Sequence, residues 1–490
     1  MKFCFRDSVI DWRIVLLVIG ICSLHILTLK IEYIAYAVSF MEICILFFLL
    51  LKQRLDLFLY TEVILLSTTF EFSMFVDSSL DSVPSIVNLP FVKGYFFVFL
   101  SLFPVFKLFR GGLLKHFSFN KSLYYFVLFA FITMFSGIVM GILSLFIDAT
   151  SSSFRIVFMF KDIINVGLFS LYLLYFAYSM IHYEGFKEKL KIVLFSTLVP
   201  IIIVAFFFTL VGFSGDYESR EIILMPLSFL FSTFIIVFWY YKEYRCQHWF
   251  LLFVLSLLAF YMQLEYSNAL GGKSWLVFFL LALLSLYFSY KKSKMLFGGI
   301  IVGGILFFST LVGITERKLD GDTLASSKLS QAILLVSVVD MDWYDKLPLS
   351  PKIRIEEFFN TVLEYRNHPF YLLFGKGYGG GHWDYRNAYG SYNPAAFSLE
   401  EYSAGYFIAL HESLNTVFLK FGLIGILLLC FIVYHTWKYI EISPWLIVGG
   451  IWFILFWGYS FSLMAIGLPA LLIGLREVEN KQKTILINKK

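Results

Sequence analysis

The chain runs to 490 residues, of which 59% are hydrophobic, 20% aromatic and only 15% charged, with 59 Phe. Soluble domains carry about 25% charged residues, so this composition excludes an ordinary soluble fold, and apolar runs of ~18 or more residues recur as membrane spans do. The net charge of +5 gives no reason to expect a nucleic-acid partner, because Lys and Arg collect in cytoplasmic loops for topological reasons.

The N-terminus, with Lys2 and Arg6 ahead of an apolar run, imitates a signal peptide. It has no small-x-small cleavage site and leads straight into another span, so it reads as a retained first helix. Spans are predicted at 14–29, 32–51, 56–75, 91–106, 123–147, 157–181, 191–213, 222–241, 249–266, 275–290, 295–314 and 412–434. The third, which carries Glu62 and Glu71, has the weakest signal of the set. A last apolar stretch, 444–475, is 32 residues long. One helix of that length overshoots a hydrocarbon core of ~30 Å, so a hairpin of two short helices turning near 459–462 is expected. The fold class is an all-α polytopic integral membrane protein of about 14 transmembrane helices (12–14). A large, partly helical extracytoplasmic loop precedes the third-last helix.

Alternate loops support this arrangement. Lys52/Arg54, Lys107/Arg110/Lys115/Lys121, Lys187/Lys189/Lys191, Lys242/Arg245, Lys291/Lys292/Lys294 and Lys438 fall on one side. The loops between them are polar or acidic, which puts both termini in the cytoplasm. The expected organisation is helices 1–11 over residues 1–314, the outer loop over 315–410, helices 12–14 over 411–475 and a basic cytoplasmic tail over 476–490. The five cysteines form no CxxC pair, so neither a disulfide framework nor a zinc site is indicated.

The outer loop is too long for a simple connection and too aromatic for a disordered one. Within it, Ile355, Phe358, Phe359 and Val362 recur at helical spacing over 353–365, so one apolar face is expected to bury. After Asn367-His368-Pro369 comes a glycine-rich run, Gly375-Lys376-Gly377-Tyr378-Gly379-Gly380-Gly381. It reads either as an anion cradle of backbone N–H groups or as an elbow where the chain leaves a helix. His411-Glu412-Ser413-Leu414-Asn415 opens the twelfth span. A histidine at that water boundary can act as a base, with Glu412 and Asn415 within one turn to orient it, or can be merely interfacial. Gly422 and Gly425 further along suit close helix packing.

Arg220, Lys273 and Arg354 are cations on the outer side, against the positive-inside trend. Each alone suits a snorkelling residue, and together they suit a pyrophosphate. Charges inside spans (Glu42, Lys161, Asp162 and Glu265) need partners, and adjacent Lys161 and Asp162 are expected to find them on other helices. No metal-ligand pattern occurs; Asp340/Asp342, His368 and His382 read as plain loop residues.

Together these residues resemble the O-antigen ligase/polymerase superfamily of bacterial envelope glycosyltransferases. The resemblance rests on Arg354, on the run from Asn367 to Gly381, on His411 through Gly425, and on Arg220 in its acidic outer turn. Gly272-Lys273-Ser274-Trp275 is similar to a further family motif, with Lys where Arg is usual, which weakens a bidentate contact there. The matching pieces cover roughly 210–435, while the first two hundred residues match only in hydropathy. The resemblance implies a multi-pass protein of the bacterial inner membrane that transfers glycan at the periplasmic face, without metal or other cofactor, from an undecaprenyl-pyrophosphate-linked oligosaccharide. It implies His411 as general base, Arg220, Arg354 and Lys273 on the pyrophosphate, and Gly375, Gly377, Gly379, Glu412 and Asn415 in support. Trp343, Tyr378, Trp383 and Tyr385 are candidates for stacking on sugars. A surface polysaccharide polymerase, with membrane lipid and a chain-length regulator as partners, is the leading expectation. A ligase passing glycan to lipid A core or protein is the alternative, and a lipid-linked oligosaccharide flippase is a more distant one.

Overall fold

The structure, a computed structural model, describes residues 10–30, 32–68, 71–72, 121–148, 152–210, 223–224, 254–255, 258, 344, 349–390, 397–440, 442–457 and 463–487. The described residues are mostly helical. Their helices are α1 Trp12–Lys30, α2 Glu32–Leu51, α3 Leu55–Thr68, α4 Lys121–Ile147, α5 Ser152–His182, α6 Phe186–Leu210, α7 Leu349–Asn367, α8 Pro369–Phe374, α9 Leu399–Ala404, α10 Ser413–Trp437, α11 Pro444–Phe456 and α12 Leu463–Ile487. Two-residue strands pair antiparallel as β1 Glu71–Phe72 with β2 Ile223–Leu224, and β3 His382–Trp383 with β4 Tyr406–Phe407. The predicted spans at 91–106 and 275–314 lie outside the described residues, and so do nearly all of 222–241 and 249–266.

Among the described residues, three helices are long and apolar enough to cross a membrane: Tyr124–Ile147, Ser153–His182 and Ser413–Trp437. After Lys121, α4 contains no charged residue, and a helix satisfies its own backbone groups where no water can. Shorter apolar helices cover Trp12–His25, Phe40–Leu51 and Trp445–Ile454.

The chain divides into two compact units, one of Met1–Cys22, Thr69–Ser73 and Phe195–Lys352, the other of Ser23–Thr68, Met74–Leu194 and Ile353–Lys490. In the first, Ser196 accepts a hydrogen bond from the Asp11 amide at 2.9 Å. The second holds every described site residue discussed below. Its core is aromatic. Phe129 of α4 meets Trp457 at 4.9 Å and Phe453 of α11 at 5.4 Å, and Phe421 of α10 meets Trp457 at 5.5 Å. Between helices in lipid, shape and dispersion hold such contacts, since acyl chains are as apolar as the side chains.

Helices α11 and α12 are antiparallel. A Cβ at Gly449 would meet the Leu471 backbone at 2.4 Å, and one at Gly474 would meet Leu446 at 2.7 Å. Two helices therefore replace one long one in 444–475, as their length requires. Helix α12 runs on through the tail from Arg476 to Ile487. Two expectations need correction. The third span is helical only to Thr68, and Glu71 lies in β1. In α7 the buried face is the polar one. Glu356, Glu357, Asn360, Thr361 and Glu364 are each 2% exposed or less, whereas Phe358, Phe359 and Val362 are 43%, 41% and 40% exposed. The reason lies in what α7 meets on its inner side: Arg386, the His411 main chain, Asn415, Lys376 and Tyr385, all hydrogen-bond donors.

Candidate functional site

The chain reaches His411 through a small, tightly tied segment. Ser398 and Glu401 form a capping box at the start of α9, and Gly405 ends that helix in the left-handed conformation (φ 65°). Buried Glu401 also accepts the amides of Ile408 and Ala409 at 2.8 Å each, which fixes the strand leading into His411.

At the mouth of α10, Glu357 of α7 gathers the donors. Its carboxylate accepts the His411 amide at 3.0 Å and 3.2 Å, His411 Nδ1 at 2.5 Å and Asn415 Nδ2 at 3.1 Å. Asn415 Nδ2 also donates to the Arg354 carbonyl at 2.8 Å. A carboxylate beside a helix N-terminus is favoured by the helix dipole, and here it is fully buried. The short contact to an acceptor places a proton on Nδ1, which makes Nε2 the basic nitrogen of the neutral ring. Phe397 packs edge-on against the imidazole at 5.1 Å. The His411 side chain keeps 21% of its surface exposed.

Glu412 pairs with Arg354 Nε at 2.9 Å. Next to this pair, the 382–390 loop is clipped to α7. Arg386 bonds Glu356 at 2.6 Å, Tyr385 donates to Glu364 at 2.6 Å, and Asn360 donates to Asp384 at 3.1 Å. Burial and the Glu364 contact push the Tyr385 hydroxyl up to about 12, so it stays a donor. Trp383 and Tyr385 present exposed rings, whereas Tyr378 is fully buried and cannot stack on a sugar. His382, read from sequence as a loop residue, lies buried in β3 at the side of Tyr389 and Phe407. Burial holds its imidazole below the ordinary histidine value.

The glycine-rich turn is no anion cradle. From Gly375 to Gly381 every backbone N–H already donates within the protein: to Tyr371, Leu419, Lys420, Gly137 and Gly377 carbonyls, to Asp162 Oδ2 and to Tyr406 Oη. The turn is an elbow seated in α4, where a Cβ at Gly137 would strike the Tyr378 ring at 2.5 Å and one at Gly141 the Tyr378 carbonyl oxygen. Gly377 sits at φ 72° with its missing Cβ directed at the Gly141 amide, so no side chain fits there.

Around the elbow lies a second polar cluster. Lys376 is held between Asp148 at 2.7 Å and Glu364 at 2.6 Å. Arg155 bonds Asp148 at 3.1 Å, the Gly379 carbonyl at 3.1 Å and the Ser144 carbonyl at 2.9 Å. Asp162 accepts the Gly379 amide at 2.9 Å and pairs with Lys420 of α10. Asp162 thus finds its partner on another helix, as adjacent helical positions require, while Lys161 lies over the Phe158 ring at 4.6 Å. Glu42 pairs with His25 at 2.6 Å.

The structure therefore brings His411, Arg354, Glu412 and Asn415 together and sets Gly375, Gly377 and Gly379 in the elbow. Arg220, Lys273, Glu265 and Trp343 lie outside the described residues. Glu357 was missed, and so were Lys376, Arg155 and Asp148. A usable signal existed for the first, because Glu357, Asn360, Thr361 and Glu364 form a polar stripe opposite the apolar one on α7. Comparison of the chain with protein-family models, with curated proteins and with solved structures found no match.

Proposed function

We infer that the chain is a surface polysaccharide polymerase of about fourteen spans in the bacterial inner membrane, with both termini cytoplasmic. It joins undecaprenyl-pyrophosphate-linked repeat units at the periplasmic face. The observation that carries the reading is the pairing of His411 Nδ1 with buried Glu357 beside Arg354, at the mouth of an apolar helix.

His411 Nε2 takes the proton of an acceptor sugar hydroxyl as that oxygen attacks the anomeric carbon of the donor. Glu357 steadies the imidazolium that forms and fixes its orientation, as a carboxylate does behind any histidine base. The bond from the anomeric carbon to the pyrophosphate oxygen breaks, and the electron pair leaves with the pyrophosphate. Arg354 takes up that charge, the role that the sequence resemblance also implies for Arg220 and Lys273. Glu412 holds the Arg354 guanidinium until the pyrophosphate replaces it, which keeps the fork aligned between turnovers. Trp383 and Tyr385 offer rings to the sugars, and pyrophosphate leaves well enough that no general acid is needed.

The test is incubation of the purified protein with a defined lipid-linked repeat unit in EDTA, followed by analysis of product length. Products of two or more repeats on the lipid are expected. Transfer of a single repeat only when lipid A core or a protein acceptor is supplied would make the chain a ligase. No transfer under either condition would remove the glycosyltransferase reading.

A further inference from the structure

We propose that α7 and α8 lie in the outer headgroup boundary with their apolar face covered by acyl chains, and that the Gly375–Gly381 elbow is a re-entrant element within the bilayer. The segment is predicted from sequence to be an extramembranous loop. The inference goes beyond the reaction proposed above and does not rest on it.

Depth is set first by contacts with α4. Tyr378 donates to the Thr133 carbonyl at 3.3 Å, and its amide donates to Gly137 at 2.8 Å. In the apolar span Tyr124–Ile147, Gly137, which accepts from the elbow backbone itself, lies about 20 Å from one end and about 15 Å from the other at ~1.5 Å per residue. Whichever end faces outward, the elbow reaches near the middle of that span. Non-helical backbone survives at such depth only when protein satisfies it, and every amide of the elbow is satisfied.

The second observation is the break in α10. Gly422 has φ 59° and ψ −152°, so the helix is interrupted there and the carbonyls before it lose their own partners. Donors from the proposed element replace them. The Tyr365 hydroxyl donates to the Phe418 and Leu419 carbonyls at 2.5 Å and 2.9 Å, Lys376 N to Leu419 at 2.9 Å and Gly377 N to Lys420 at 3.0 Å.

Orientation follows from the same contacts. From the Arg354 carbonyl at Asn415 to the Tyr365 hydroxyl at Phe418, α7 advances about 16 Å while α10 advances about 5 Å. The helix therefore crosses α10 steeply and lies in the membrane plane when α10 spans it. Its exposed face carries Phe358, Phe359 and Val362, and α8 adds exposed Phe370, Leu373 and Phe374. Phe358 stacks on Phe418 of α10 at 5.6 Å, which sets this face against a helix that itself exposes Leu414 and Leu427. Arg386, lying over the Phe359 ring at 5.2 Å, has the place of a residue that snorkels to the headgroups. An amphipathic helix with a wholly apolar face next to a span is covered by lipid.

The experiment places a nitroxide on single cysteines in a full-length protein with its five native cysteines replaced, reconstituted in phosphatidylcholine–phosphatidylglycerol vesicles. Labels go at Phe358→Cys, Val362→Cys and Leu373→Cys, with Leu427→Cys as the lipid reference and Ser403→Cys, on exposed α9, as the water reference. Collision with oxygen should exceed collision with a water-soluble nickel chelate several-fold at 358, 362 and 373, as at 427, and the ratio should be largest at 373. Nickel-dominated collision, as at 403, would put the face in water and overturn the proposal. Low accessibility to both reagents would mean that protein covers it and would overturn the lipid assignment equally. Alkylation of the same cysteines by an impermeant maleimide gives an independent reading: protection in membranes with reaction after solubilisation in denaturant is expected, and reaction in intact membranes counts against it.

Discussion

Two polar clusters sit one above the other on α7, and they differ in how far they are closed. Below, Lys376, Arg155 and Lys420 meet Asp148, Glu364 and Asp162, with neither Lys376 nor Arg155 exposed at all. Its charges balance and its donors hold the elbow, so nothing remains there for a ligand to take. Above, His411, Arg354 and Glu412 keep a fifth to a third of their side-chain surface open. A buried, balanced network specifies a geometry, whereas an exposed set around one fixed base can exchange partners. Glu364 and Glu357, two turns apart on one stripe of α7, serve one cluster each.

The largest effect should come from the closed cluster. Lys376→Met leaves Asp148 and Glu364 buried without their shared cation, a loss of about 3–5 kcal/mol. Folded, monodisperse protein recovered from membranes should nearly vanish, and adding Glu364→Gln should restore part of it. Full recovery of the single variant would break the assignment of this cluster to folding. His411→Ala should do the reverse. Polymer formation is expected to fall roughly 10²–10⁴-fold with protein level unchanged. Long polymer persisting in that variant would remove the general-base role.

Glu357→Gln tests whether the open cluster acts as a unit. The amide keeps an acceptor for Nδ1 but loses the charge, so kcat should drop about 10–100-fold with KM for the lipid-linked donor nearly unchanged. A rise in KM with constant kcat would mean that Glu357 only shapes the pocket. Glu412→Gln should act most weakly on turnover. It frees Arg354 from its resting partner, so donor KM is expected to shift a few-fold or less while Arg354→Ala abolishes polymer. Equal losses from the two variants would make Glu412 part of the reaction rather than a placeholder.

Much of the helical framework is legible in the amino-acid sequence. Hydropathy located α4, α5 and α10 to within a few residues, because a span is written in consecutive apolar residues. That His411 and Arg354 come together at one helix mouth was legible because a titratable group at a span boundary stands out against an apolar background. Glu357 was not, because a carboxylate on an amphipathic helix normally reads as its solvated face. The rule that apolar faces turn inward failed on α7, where the inner side offered amides, Asn415 and Lys376, while Phe358, Phe359 and Val362 on the other side stay about two-fifths exposed among the described residues. In the elbow, glycines that suggest a phosphate loop serve close approach instead: Gly377 and Gly141 touch because neither has a side chain. Nothing in the local sequence pairs residues 377 and 141, since that contact is tertiary.

The two histidines nearest Glu357 offer the finest test of the same distinction. His382 is buried between aromatic rings, and burial depresses its folded-state value below the ordinary 6.5. Protons therefore bind the unfolded chain first, so its contribution to stability is complete above pH 6.5 and declines as pH falls through that value towards the folded one. The parent protein should lose thermal stability in detergent on going from pH 7 to about pH 5, and His382→Gln should flatten that slope without changing polymer formation at neutral pH. The effect is small because one group carries it. A loss of activity in His382→Gln at neutral pH with stability intact would place the second histidine in the open cluster, and the separation of the two clusters would then fail at the residue that lies between them.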